Sequence, residues 1–233
     1  MRGAVTLPGR ILRAILARRA ATIVHFVDPS AQRDLALIRD SRARAPLLVP
    51  DGAAFQILAY ARAARRLGGA MAELGVFAGG TARLICEAKG DAPLHLFDVF
   101  ETLQGAPATS YDSSHGAKVR ARFGSWHTPV ARVQSLLTGY SNVFIHQGVF
   151  PSTATEVRDE TFSFVHLDAD LNSSTRDGLE FFYPRLRRGG IILVDDYNLP
   201  EVRSAFDDFF GKRDDTVVVS PWSQVIAIKT ASL

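Results

Sequence analysis

From Ala70 onward the apolar positions fall into short runs of strand length, separated by stretches in which they return every three or four residues. The runs AMAELG (70–75), LHLF (94–97), NVFIHQ (142–147), FSFVHL (162–167) and IILV (191–194) predict strands, and Thr216–Val219 and Gln224–Lys229 predict two more. Helices are expected over VFAGGTARLICEAK, Val130–Thr138, Ser173–Arg187 and Glu201–Arg213, the last with Val202, Ala205, Phe206, Phe209 and Phe210 on its apolar side. The Ser173–Arg187 helix opens on Ser/Thr caps and is expected to end in basic residues before Gly189-Gly190. Strand and helix alternate, so the pattern predicts an α/β fold in which FSFVHL and IILV lie parallel, joined by a crossover helix.

Upstream of Ala70 the pattern is helical only. Gly9–Phe26 sets Ile11, Leu12, Ile15, Leu16, Ile23 and Val24 at helical spacing with arginines between, a basic amphipathic helix that suits a cover for the domain or a homodimer contact. A short helix over Pro29–Asp40 and another over Ala53–Arg66, closed by Gly68-Gly69, complete an N-terminal helical extension spanning residues 1–69. The rest, 70–233, reads as the core of a single domain. Its rhythm breaks at residues 101–140, a polar, turn-rich insertion that is long for a connection and suits a binding loop or lid.

Composition agrees with one domain: 233 residues, 47% hydrophobic and 22% charged, are enough for a core without staples. The one cysteine, Cys86, excludes an intramolecular disulfide framework and a cysteine-based zinc cluster, and suits a reducing, cytoplasmic setting. No apolar run is long enough for a transmembrane segment, and arginines interrupt every candidate signal-peptide core. The net charge is +3, with arginines concentrated before Gly69, but they are not interleaved with stacking aromatics, so no nucleic acid partner is expected.

The candidate chemistry lies at the strand ends. FSFVHL runs into Asp168 and Asp170, and IILV into Asp195 and Asp196, so four carboxylates are expected on the edge where open α/β sheets bind ligands. Such a cluster repels itself unless a cation or shared protons neutralise it, and oxygen-only ligands favour a hard ion such as Mg²⁺. The first strand runs into a glycine-rich turn (Gly75, Gly79, Gly80) and a helix start, where backbone approaches a ligand closely and free N–H groups attract polar or anionic groups. LHLF ends at Asp98, placed to accept from both hydroxyls of a ribose, although capping of the next turn is the competing reading. A nucleoside is therefore expected.

Together AELGVFAGGTA (72–82), LHLFDVFETLQGAP (94–107), HQGVFPST (146–153), HLDADLNSST and YPRLRRGGIILVDDY resemble the class I S-adenosylmethionine-dependent methyltransferases, and within them the Mg²⁺-dependent macrocin/mycinamicin-type sugar O-methyltransferases. The resemblance implies a Rossmann-like three-layer α/β/α fold with a mostly parallel seven-stranded sheet whose last strand is antiparallel. It implies that Glu73, Gly75, Gly79, Gly80 and Thr81 surround the methionine part of S-adenosylmethionine, that Asp98 holds the ribose, and that Gln147, Gly148 and Val149 border the adenine. Asp168, Asp195 and Asp196 would bind Mg²⁺, with Asp170 in support. The acceptor would be a small molecule or oligosaccharide bearing a sugar hydroxyl, and Asp168, with His115 or His127 in reserve, would take the hydroxyl proton. Leu171 stands where catechol-type relatives carry a lysine, which weakens a phenolic acceptor. The alternatives are an O-methyltransferase for a catechol or another small-molecule hydroxyl, or a non-catalytic nucleoside-binding protein.

Overall fold

In the computed structural model, residues 26–100 and 128–230 are described. Seven strands form one sheet: β1 (Ala70–Leu74), β2 (Leu94–Asp98), β3 (Val143–Gln147), β4 (Phe162–Leu167), β5 (Leu186–Val194), β6 (Thr216–Val219) and β7 (Val225–Ile228). Their order is β3-β2-β1-β4-β5-β7-β6. β1 to β5 pair in parallel, whereas β7 runs antiparallel to both β5 and β6. The fold class and the antiparallel last strand are as expected. Strand order reverses between β1 and β4, and a crevice opens at the carboxyl ends of strands at such a switch point.

Side-chain alternation sends each strand's residues to two separate cores. On one face Met71, Leu94, Leu96, Phe164, Ile191, Leu193 and Ile226 pack beneath α1 (Pro29–Arg44), α2 (Asp51–Ala64), α3 (Gly80–Lys89) and α4 (Val130–Leu137). On the other, Ala72, Phe97, Phe162, Val165 and Ile192 pack against α5 (Asn172–Arg185) and α6 (Pro200–Phe210), with Phe182 and Phe206 fully buried. Helices thus cover both faces. β1 and β4 are buried along their whole length, as central strands of a parallel sheet must be.

The helix starts follow local chemistry. Asp28 caps α1 by accepting from the Ala31 N–H, with Pro29 in the first turn, and the helix runs to Arg44, four residues past the expected Asp40. The end of α5 departs from the sequence reading. It stops at Arg185, and Gly189-Gly190 lie inside β5, paired with Lys229 through Gly189 N–H to Lys229 O (2.7 Å) and Lys229 N–H to Gly190 O (3.0 Å). The orphan carbonyls at the helix end are met instead by the Lys229 ammonium, which donates to Tyr183 O (2.9 Å), Pro184 O (3.4 Å) and Leu186 O (2.9 Å). A cap contributed by a distant strand frees the glycines for the sheet. The expected helix over Gly9–Phe26 lies outside the described residues, apart from Phe26, whose ring stacks on Phe55.

Candidate functional site

The parallel ladders carry backbone order past the strand ends into the site. The Asp168 N–H donates to Leu74 O and the Asp195 N–H to Leu167 O, both at 2.8 Å, so the turn after β1 and the acids after β4 and β5 are held side by side. Gly75 makes this closeness possible. It sits at φ +91°, and a Cβ there would lie 1.9 Å from the Asp168 carbonyl oxygen. Gly79, at φ +82°, begins α3 without a side-chain cap, and the buried Thr81 lies in its first turn.

Asp98 is central to this turn. Its Oδ2 accepts the Val76 and Phe77 N–H groups and its Oδ1 accepts the Phe100 N–H, each at 2.7 Å. The capping reading is therefore realised, and the same carboxylate also shapes the glycine-rich turn. Its backbone carbonyl accepts the Gly148 N–H at 2.9 Å, which brings the end of β3 alongside. There Gln147 is exposed, and Val149 keeps 52% of its surface open.

The acids divide into two overlapping groups. Carboxylate oxygens of Asp168, Asp170 and Asp196 lie within 4.8 Å of one another, and so do ligand atoms of His166, Asp168 and Asp195. Asp170, expected in support, thus stands in one half-buried group with Asp168 and Asp196. Both Asp170 (φ +59°) and Asp196 (φ +53°) adopt left-handed backbone, a strained conformation that gathers at functional sites. Burial, then the Asp195 and Asp170 charges, pushes the Asp168 carboxyl well above its ordinary range; burial and Asp196 do the same for Asp170. Half-buried oxygen donors that repel one another fit a hard divalent cation such as Mg²⁺.

Asp195 faces a different neighbourhood. Glu73 on β1, His166 on β4, Asp195 after β5 and Gln224 before β7 form a polar row across four adjacent strands, and none is more than 5% exposed. Glu73 Oε1 lies 2.8 Å from His166 Nδ1, His166 Nε2 lies 3.5 Å from Asp195 Oδ2, and Gln224 Nε2 donates to Asp195 Oδ2 at 3.0 Å. Burial alone would lower the His166 pKa, but hydrogen bonds to Asp195 and Glu73, with the nearby carboxylate charges, raise it to about 10. Glu73 Oε2 and Gln224 Oε1 have no hydrogen-bond partner among the described residues. The sequence reading missed His166 and Gln224. The one signal was a histidine at an inward position of a mostly apolar strand, two residues before the first acid. His115 and His127 lie outside the described residues.

A seven-stranded sheet of this order, with a glycine-rich turn after its first strand and acids after its fourth and fifth, defines the Rossmann-like methyltransferase fold. The O-methyltransferase NovP superposes with a TM-score of 0.63 at 24% identity, over 75% of this chain and 79% of that one. The calicheamicin methyltransferase CalS11 gives 0.60 at 16% identity, over 90% and 95%. Residues 55–226 match the macrocin-O-methyltransferase (TylF) family, and the chain belongs to that family. Relatives include the 8-demethyl-8-(2,3-dimethoxy-alpha-L-rhamnosyl)-tetracenomycin-C 4'-O-methyltransferase of Streptomyces olivaceus, 29% identical over 62% of this chain and 59% of that protein. The mycinamicin III 3''-O-methyltransferase of Micromonospora griseorubida is 29% identical over 48% of this chain and 47% of that protein. The matches thus span between about half and three fifths of these relatives' length.

Proposed function

We propose that this chain transfers the methyl group of S-adenosylmethionine to a hydroxyl of a sugar, carried by a saccharide or a glycosylated natural product, with Mg²⁺ at the acid cluster. The observation that carries the reading is the convergence of Asp168, Asp170 and Asp196 at the ends of β4 and β5, directly beside the Gly75 turn. Family membership, and relatives named for methylation of rhamnosyl and mycinamicin substrates, supports a sugar acceptor.

Several features suit the cofactor. Glu73 Oε2 is an orphaned, buried acceptor at the end of β1, matched to the ammonium of a methionine moiety. Gly75, Gly79, Gly80 and the buried Thr81 build the turn and the helix start, whose free backbone N–H groups would meet the ligand. Asp98, besides holding the turn, offers its remaining lone pairs to a ribose, and Gln147, Gly148 and the half-exposed Val149 border an adenine.

Asp168, Asp195 and Asp196 would hold Mg²⁺, with Asp170 completing the oxygen donors; when bound there, the ion lowers the pKa of a coordinated hydroxyl and fixes its oxygen. Methyl transfer is an in-line displacement in which a carbon–oxygen bond forms as the carbon–sulfur bond breaks, leaving S-adenosylhomocysteine. Asp168, which adjoins both the cofactor turn and the other acids, accepts the hydroxyl proton. His115, from the 101–140 insertion, is the second candidate for that role.

Calorimetry with S-adenosylhomocysteine, with and without Mg²⁺, tests the cofactor reading, because a protein that binds no nucleoside is not this enzyme. A panel of deoxysugar glycosides should then give turnover that EDTA abolishes and Mg²⁺ restores. Asp196→Ala should remove that turnover while nucleoside binding persists. Asp168→Asn should lose most of the rate with little change in nucleoside affinity, and a near-normal rate would pass the base role to His115.

A further inference from the structure

Glu73, His166, Asp195 and Gln224 stand where the fold would accept hydrophobic residues at lower cost. One pleat below Glu73 and His166 on the same face stand their apolar counterparts Met71 and Phe164, and one pleat below Asp195 stands Leu193, itself the β5 register partner of His166. Burying two carboxylates and an imidazole in place of such a row is more often neutral or unfavourable than stabilising. The polar row therefore calls for a role beyond stability.

Its geometry supplies one. Asp195 is held at both oxygens, Oδ1 by the Asp196 N–H at 3.1 Å and Oδ2 by Gln224 at 3.0 Å with His166 at 3.5 Å. A carboxylate fixed in this way loses little rotational freedom when it takes up a cation, and partners behind metal ligands commonly set affinity. His166 is itself held from the far side by Glu73 at 2.8 Å, on the strand that leads into the Gly75 turn. Among the described residues this chain of side chains runs from Glu73, whose Oε2 is the acceptor proposed above for the cofactor's ammonium, to the acid half of the site, and its middle link, His166, has no exposed surface.

We infer that His166 is a positioning residue that aligns Asp195 for a divalent cation, and that Glu73 acts on the cation site only through His166. The inference rests on the metal reading given above, and the experiment separates the two. Mn²⁺, a spectroscopically visible divalent cation, is titrated into the full chain by electron paramagnetic resonance, with wild type, Glu73→Gln, His166→Gln and the double variant compared after near-ultraviolet circular dichroism shows each to be folded.

His166→Gln should weaken Mn²⁺ about 10-fold to 100-fold, the range for removing a partner of a metal ligand. Glu73→Gln should weaken it by a smaller factor although it touches no acid of the cluster. In the His166→Gln background the same Glu73 substitution should add nothing, a non-additivity that mere destabilisation would not produce. Wild-type affinity in Glu73→Gln, or two losses that simply add, overturns the inference and leaves the metal reading intact. Nitrogen hyperfine coupling on bound Mn²⁺ also overturns it, because His166 would then be a ligand. Failure of wild type to bind Mn²⁺ sinks both. Should His166→Gln not fold, Glu73→Gln alone decides, and it must still weaken Mn²⁺.

Discussion

Two buried histidine sites lie on opposite faces of the sheet, and they behave in opposite ways. His166 sits between Glu73 and Asp195, and its pKa is pushed up to about 10. His95, on the α5/α6 face, meets another imidazole: its Nδ1 lies 3.0 Å from His146 Nε2, its Nε2 has no partner among the described residues, and its ring stacks on Phe144. Burial, then the neighbouring His146, lowers its pKa to about 4. Burial penalises the charged form in both places, so what stands across from the ring decides the outcome. Carboxylates on the neighbouring strands make a charged, aligned residue; a second imidazole among phenyl rings makes a neutral packing residue.

The comparison is most sharply broken by leaving the carboxylates without their cationic partner. His166→Leu should cost about 3–5 kcal/mol in urea unfolding at neutral pH, because Glu73 and Asp195 then stay buried and uncompensated. Phe182→Ala should cost a similar 3–5 kcal/mol by opening a cavity among Phe97, Phe150 and Phe162, which shows whether the aromatic face is as firmly packed as the polar row is paired. His95→Phe, by contrast, should change stability at pH 7.5 by less than about 1.5 kcal/mol, since its ring is already neutral there.

The acid limb separates the sites further. His95 has a folded pKa below its unfolded value of 6.5, so the neutral ring's contribution is complete above pH 6.5 and is lost as pH falls toward 4. His166 has the reverse sign, its contribution being present below 6.5 and lost as pH rises through about 10. Urea midpoints followed over pH 4–6.5 should therefore fall less steeply with acidification for His95→Phe than for wild type. The smallest effect should come from a site outside both regions: Arg62→Ala breaks the partly exposed pair with Asp34 (2.7 Å) and should cost no more than about 1 kcal/mol, less in high salt.

The same contrast explains how much was legible in the sequence. Strands and helices were readable because each announces itself within a few residues, as FSFVHL does by its apolar run, although α5 begins at Asn172 with Leu171 at its N-cap and no side-chain cap bond rather than on the expected Ser/Thr caps. The acids were readable because each ends its own strand. The polar row was not, because the register sets Glu73 opposite His166 while Asp195 reaches it from two residues past Leu193, its β5 partner. The division of the acids was hidden for a related reason: the left-handed backbone at Asp170 and Asp196 re-aims side chains that spacing alone treats as equivalent. Gly189-Gly190 misled because a glycine pair after a basic helix end is the usual stop signal, while the actual cap, Lys229, comes from another element.

That borrowed cap has a consequence for the chain as it is made. At the end of α5 the Lys229 ammonium meets the Tyr183 and Leu186 carbonyls beside the local Leu186 N–H bond to Tyr183 O, and Lys229 follows β7, so the helix that joins the two acid-bearing strands receives this part of its cap late in synthesis. The intervening β5, α6 and β6 must all emerge first. The helix that carries one side of the crevice is thus completed in part by a lysine that lies outside it.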